Sequence, residues 1–147
     1  MYKINLYLET SIRGIRKSVG WYGYLLEWID SKGQFRTLHG FKCEMAVTPN
    51  MLVLMAFCAA LNRMNKDSEI TVFTDSLYLR ECYTQYLQAW KENGWKTAKG
   101  EPVKNLILWQ QADKLTSRHA VRFSMEYHHS YKNWMVSEIV KRRDGNV

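Results

Sequence analysis

The chain carries only three cysteines, Cys43, Cys58 and Cys82, and no two of them are spaced as Cys-x-x-Cys. That scarcity excludes a cysteine zinc site and a disulfide framework, and leaves buried, reduced thiols as the reading. No run of about 18 apolar residues occurs, so no membrane-spanning helix is expected. The opening MYKINLYLET has no signal-peptide layout, because Glu9 cuts its apolar stretch short, and a cytoplasmic location is expected. No linker, repeat or low-complexity segment divides the chain, which predicts one domain over residues 1–147. Acidic residues are scarce too. Asp and Glu number 14 against 21 Lys and Arg, which leaves a net charge of +7 and a pI near 9.4.

The remaining composition is that of a folded protein. Hydrophobic residues make up 46% and charged residues 24%, enough apolar surface for a core and too little charge for disorder. The basic excess suits a polyanionic partner. Arg13, Arg16 and Lys17 fall in one loop, and Lys91, Lys96, Lys99 and Lys104 fall in a stretch that also holds Trp90 and Trp95. Lysines reach phosphates while flat rings pack on sugars or bases, so this interleaving points to nucleic acid. The plainer alternative is a solvated helix end with two partly buried tryptophans.

Hydrophobic periodicity lays out the elements. Ile4, Leu6 and Leu8 alternate with Lys3, Asn5 and Tyr7, which predicts a strand over 3–8. A turn region over 14–20 leads to a second strand over 21–29, and the turn Asp30-Ser31-Lys32-Gly33 to a third over 34–42. The period then changes. Thr48 and Pro49 open a helix, along which Leu52, Met55, Ala56, Ala59, Ala60 and Met64 recur at helical spacing. A fourth strand over 69–74 follows, then a helix over 76–92 closed by Asn93-Gly94. A helix from Pro102 to about Ser117, a strand over 121–127 and a helix over 134–143 complete the order βββαβααβα. A three-strand meander followed by helical crossovers predicts an α/β fold with one mixed sheet covered by helices.

Several strings in this order resemble type 1 ribonuclease H. The longest, TDSLYLRECYTQYLQAWKENGWKTAKGEPVKNLILWQQADKL over 74–115, is similar to that family's strand-end TDS, its basic tryptophan-bearing protrusion and the helix after it. GWYGYLLEW over 20–28 resembles the family's second strand, and TPN…LMA over 48–56 its first helix entry. His129, four residues before Asn133, resembles the flexible loop near the family's active site. The resemblance spans nearly the whole chain. It implies a ribonuclease H-like fold with a five-stranded mixed sheet, the first three strands antiparallel and the fourth beside the first. It also implies hydrolysis of the RNA strand of RNA–DNA hybrids by a metal-dependent endonuclease. In the family, four carboxylates hold two Mg²⁺ ions that activate a water and stabilise the leaving oxygen.

This chain departs from that carboxylate set. Asp75 matches the strand-end Asp, and Glu9 stands where the family has an Asp on its first strand. The family's helical Glu falls on Val53 and its last Asp on Ser137, with Glu138 beside it and Glu126 the other stray carboxylate. Glu9 and Asp75 are therefore the expected metal ligands and, with His129, the expected catalytic residues, for Mg²⁺ or Mn²⁺ held weakly if at all. Each has a plainer reading: a strand-end surface residue for Glu9, a helix cap helped by Ser76 for Asp75, an ordinary exposed histidine for His129. The nucleic-acid face is better preserved. The resemblance assigns Thr48 to a phosphate, Asn50 to the minor groove of a hybrid, and Tyr86, Trp90, Lys91, Trp95, Lys96 and Lys99 to the protrusion. Met51 and Leu77 replace polar groups of that face, and the basic IRKS of 15–18 replaces a glycine-rich loop. The favoured expectation is a protein that binds RNA–DNA hybrid or other duplex, with cleavage lost or weakened. The alternatives are an active hybrid ribonuclease with a rebuilt metal site, and a protein-interaction module that reuses the fold for a protein partner.

Overall fold

A computed structural model describes residues 1–12 and 17–145. Arg13, Arg16 and the first residues of the basic string after the first strand lie outside the described residues. The described elements are β1 (Tyr2–Thr10), β2 (Ser18–Ile29), β3 (Phe35–Val47), α1 (Pro49–Leu61), β4 (Ser68–Phe73), α2 (Leu77–Glu81), a π-helical turn (Cys82–Tyr86), α3 (Leu87–Glu92), α4 (Leu106–Thr116), β5 (Ala120–Ser124) and α5 (Lys132–Gly145). They form a five-stranded mixed sheet in the order β3-β2-β1-β4-β5. β1, β2 and β3 pair antiparallel, β4 runs parallel beside β1, and β5 runs parallel beside β4. This is the predicted sheet.

The β2–β3 hairpin closes through Asp30, whose Oδ1 accepts from the backbone N–H groups of Lys32 and Gln34, both at 2.9 Å. Gly33 supplies the left-handed residue the turn needs, at φ 78°. α1 starts at Thr48, whose hydroxyl oxygen accepts from Met51 N–H at 3.2 Å, and Pro49 occupies the first turn. The buried face of α1 is wider than the helical spacing alone indicates. Val53, Leu54, Phe57 and Cys58 are buried with Leu52 and Ala56, because the helix lies between the sheet and α4. β2 approaches α1 closely at Gly20, where an added Cβ would sit 2.8 Å from Leu52. Cys58 and Cys82 are buried, and burial raises their thiols to about 12 and about 11, as expected of inert core cysteines.

Several boundaries differ from those expected. β3 runs on to Val47 rather than ending near Lys42. The helix expected over 76–92 is broken by the π-helical turn, after which Leu87 is buried and Tyr86 is left outside. α4 begins at Leu106 rather than Pro102, because Asn105 takes a left-handed conformation (φ 58°) and Pro102 is engaged in an isolated bridge with Lys96. β5 stops at Ser124, whose hydroxyl accepts from Glu126 N–H at 3.1 Å and turns the chain away.

Side-chain alternation along β1 divides its residues between two faces. Leu6 and Leu8 join the main core under α1, while Tyr7 joins a second cluster with Leu25 and Met135 under α5. In that second layer Glu27 collects three donors: Tyr131 Oη at 2.5 Å, Tyr7 Oη at 3.0 Å and Asn5 Nδ2 at 3.1 Å. Desolvation pushes the Glu27 carboxyl up, but the hydrogen bonds from Tyr131, Asn5 and Tyr7 together outweigh it and hold the group below its ordinary value. The same bond to Glu27, then burial, raises Tyr131 to about 12. A carboxyl depressed in the folded state contributes stability that is complete above its ordinary value of 4.5 and is lost as pH falls through its folded value. Urea midpoints measured between about pH 3 and pH 6 should therefore fall less steeply with acid for Glu27→Gln than for the unaltered chain.

Candidate functional site

The carboxyl ends of the parallel pair β1 and β4 bring Glu9 and Asp75 to the same end of the sheet, at its centre rather than on distant edges. The register runs from Tyr2↔Ser68 to Tyr7↔Phe73, a constant offset that sets Glu9 level with Asp75 just beyond the last pair. Alternation along β1 sends Glu9 and Thr10 to opposite faces. Thr10 lines a shallow pocket of about 220 Å³ with Asp75, Asn50, Val53 and Tyr78, on the α1 side. Glu9, two residues after Tyr7, points to the α5 side and is 6% exposed.

Glu9 is engaged there by residues from the start of α5 and the segment before it. His129 Nε2 lies 2.8 Å from Glu9 Oε2, and Lys132 Nζ lies 3.2 Å and 3.5 Å from the two carboxylate oxygens. His129 Nδ1 accepts the backbone N–H of Tyr131 at 3.2 Å. A nitrogen that accepts carries no proton, so the imidazole is neutral and its single N–H, on Nε2, donates to Glu9. The only full positive charge meeting Glu9 in these contacts is the Lys132 ammonium. His129 is buried, which corrects the reading of it as an exposed histidine. Glu9 is likewise no surface residue. The helix cap beside Asp75 is Ser76, whose hydroxyl accepts from Leu79 N–H at 3.0 Å.

The other two positions of the expected carboxylate set supply no charge. Val53 is buried in the main core, and Ser137 is exposed on α5. Glu138 is paired with Arg142 at 2.8 Å, and Glu126 is exposed beyond the end of β5. Among the described residues, no three His, Cys, Asp or Glu side chains are gathered so as to hold a metal ion. Hard divalent cations require several oxygens converging on one point, so these donors do not fit the preformed pair of ions that the resemblance implies.

The nucleic-acid candidates of the protrusion occupy a different stretch of surface from the two carboxylates. Tyr86 is exposed and stacks on Trp90, with ring centroids 6.1 Å apart and planes at 20°. Trp90 in turn meets the fully buried Trp109 edge-on at 5.8 Å. Trp109 Nε1 donates to Tyr78 Oη at 2.8 Å, which ties the base of the protrusion to the helix after Asp75. Trp95 is half-buried at φ 63°, and its N–H donates to the Trp90 carbonyl at 2.7 Å. Lys96, Lys99 and Lys104 are exposed on the loop that follows. Lys91 differs from them, being paired with Asp113 at 2.9 Å. Thr48 spends its hydroxyl oxygen on the α1 cap, while Asn50 lies exposed at the mouth of the Asp75 pocket. Met51 packs against the core, and Leu77 is exposed at the pocket rim.

Lys132 is the site residue that sequence reasoning missed. The expected helix began at Trp134, which left Lys132 in a loop. Once α5 starts at Lys132, a cation sits in its first turn, where the helix dipole disfavours positive charge. That local conflict is the one sequence signal for a nearby anion. Val53 sets a limit of its own. Val53→Glu places a carboxylate at a buried position on the wall of the pocket that Asp75 also lines, with no cation to meet it among that pocket's residues, and should lower the unfolding free energy by on the order of 3 kcal/mol in urea titration.

Comparison with known proteins matches the RNase H family model to residues 2–143. A protein named Ribonuclease H from Marinobacter nauticus is 35% identical over 128 residues, covering 87% of this chain and 83% of that protein. One of the same name from Brucella ovis is 37% identical over 121 residues, covering 82% and 75%. Among solved structures, LC9-RNase H1, described as a type 1 RNase H with the type 2 active-site motif, superposes with a TM-score of 0.79. That pair shares 23% identity, over 99% of this chain and 74% of the other. A foamy viral protease-reverse transcriptase solved in complex with RNA/DNA hybrid superposes with a TM-score of 0.69 at 16% identity, over 91% of this chain and 19% of that one.

Proposed function

The chain belongs to the ribonuclease H family, and from that premise we propose that it binds RNA–DNA hybrid or a similar duplex and cleaves it weakly or not at all. The observation that carries the reading is the contrast between two surfaces of one molecule. The protrusion keeps an exposed aromatic ring, Tyr86, stacked on Trp90, beside the exposed Lys96, Lys99 and Lys104. The sheet end keeps two carboxylates of the family's four, and one of them, Glu9, is buried against an ammonium.

Binding on this reading is electrostatic first. Each lysine that neutralises a phosphate releases condensed counterions, so affinity falls as salt rises. Tyr86 offers a flat apolar face to a sugar or base and needs no particular sequence. On this reading Asn50, which lines the Asp75 pocket, meets a minor groove, where 2′-hydroxyls mark an RNA strand. Weak divalent binding would centre on Asp75, with Mg²⁺ or Mn²⁺ held mostly by water and phosphate. A bound divalent ion would supply Lewis-acid stabilisation of the phosphate.

A second reading is an active hybrid-specific ribonuclease. It is favoured by the family match and by relatives at 35–37% identity that bear the name Ribonuclease H.

Two measurements separate the readings. In fluorescence anisotropy, the unaltered chain should bind a labelled RNA–DNA hybrid with a marked salt dependence. Lys96→Met with Lys99→Met should weaken it and reduce the log–log salt slope by about one unit per lost phosphate contact. Unchanged affinity and slope would remove the protrusion from the interface. In a cleavage assay with Mg²⁺ and with Mn²⁺, the chain should be at least about 100-fold slower than the Marinobacter nauticus relative, equivalent to about 2.7 kcal/mol of transition-state stabilisation. Equal rates would establish the second reading.

A further inference from the structure

Where the family resemblance expects a metal ligand, the structure shows a carboxylate that already has its cation. The Glu9 side chain is 5% exposed and that of His129 2%, while Lys132 keeps 22%. The partners come from opposite ends of the chain, 120 and 123 residues away. Lys132 Nζ lies 3.2 Å from one oxygen and 3.5 Å from the other, so the ammonium straddles the carboxylate much as a bidentate cation would. His129 takes one of the oxygens from the side as a neutral donor, because its other nitrogen is committed to Tyr131 N–H. Tyr131 is itself tied to Glu27 through its hydroxyl, so the segment carrying these donors is fastened to β2 as well as to β1.

We propose that the Lys132 ammonium is the resident cation of the Glu9 carboxylate, standing in for the divalent ion, so that Glu9 takes up no metal while Lys132 is in place. The charges balance without a metal. One carboxylate meets one ammonium, and the imidazole adds a hydrogen bond without adding charge. A divalent ion entering here would bring its charge against an ammonium within 3.5 Å of both ligand oxygens. It would have to expel Lys132 from a half-buried position and leave that ammonium beside the new ion. The site is thus altered by gain as well as by loss. Val53 and Ser137 remove two carboxylates, and Lys132 closes a third. The inference rests on the reading of Glu9 as standing at a family metal-ligand position, and adds that the position is filled by a side chain.

The test needs no nucleic acid, so its outcome is independent of whether the chain binds a hybrid. Three proteins are titrated with Mn²⁺: the unaltered chain, Lys132→Met, and Lys132→Met combined with Glu9→Gln. Affinity is read by calorimetry and location by paramagnetic broadening of the backbone amides around Glu9. The unaltered chain should show no Glu9-centred broadening. Lys132→Met should gain a Mn²⁺ site about ten-fold or more tighter than anything the unaltered chain has, and Glu9→Gln should abolish the gain. A Lys132→Met protein that binds Mn²⁺ no more tightly than the unaltered chain overturns the proposal. So does an unaltered chain whose amides near Glu9 broaden at low Mn²⁺. If Lys132→Met folds poorly, the ammonium proton–nitrogen correlation of Lys132 in the ¹⁵N-lysine-labelled unaltered chain decides. It should be protected from exchange, unmoved by excess Mg²⁺, and lost in Glu9→Gln. Its release by Mg²⁺ would overturn the inference.

Discussion

A carboxylate held away from water needs a partner, and at the end of β1 that requirement organises the surroundings of Glu9. Alternation along the strand sends Leu6 and Leu8 into the core under α1 and sends Tyr7 and Glu9 under α5. Tyr7 belongs there, stacked on Phe73 at 4.6 Å. Glu9 does not belong in an apolar layer unless its charge is met. The segment before α5 and that helix's first residue meet it with one neutral donor and one ammonium. The contact therefore does two things. It makes burial of Glu9 tolerable, and it fixes where the chain from His129 to Lys132 lies against the sheet. The neighbouring anchor of Tyr131 on Glu27 holds the same segment from the other side.

The protrusion obeys a different logic. Its inner wall is a relay of rings, Trp109 to Trp90 to Tyr86, that passes from full burial to exposure within three side chains. Asn93 Nδ2 closes the loop that follows by donating to the carbonyls of Lys96 and Thr97, each at 3.2 Å. Gly94 and Gly100, at φ 67° and 82°, supply the left-handed positions. A packed base with exposed lysine heads suits a backbone-tracking contact, because phosphate binding needs charge at a surface more than fixed geometry.

Membership of a family and the make-up of its site rest on different residues of the chain. The match to the RNase H model runs almost end to end and the sheet order is the expected one. Both rest on core packing and turn chemistry, which tolerate changes at the sheet end. The chemistry rests on a few oxygens converging on one point. A single valine in the α1 core and a single lysine at the start of α5 reach that point without disturbing the fold.

What the sequence determined by itself was everything carried by neighbours along the chain. Period-two runs placed the strands, Thr48-Pro49 placed the start of α1, and Asp30 to Gly33 placed the hairpin, because each depends on residues within one turn of one another. The order of these elements gave one mixed sheet, the family resemblance placed its fourth strand beside the first, and the absence of acidic residues at 53 and 137 was visible without coordinates. The tertiary structure alone decided which way those residues faced and what they met. The break of the helix at Cys82–Tyr86, the pairing of Lys91 with Asp113, the bond of His129 to Glu9 and the capture of Glu9 by Lys132 depend on partners from 22 to 123 residues away or on packing from outside the segment. A local pattern carries no record of such partners. The physical reason is that an ion pair is chosen by distance in space, and distance in space follows only once two faces of a sheet have been covered.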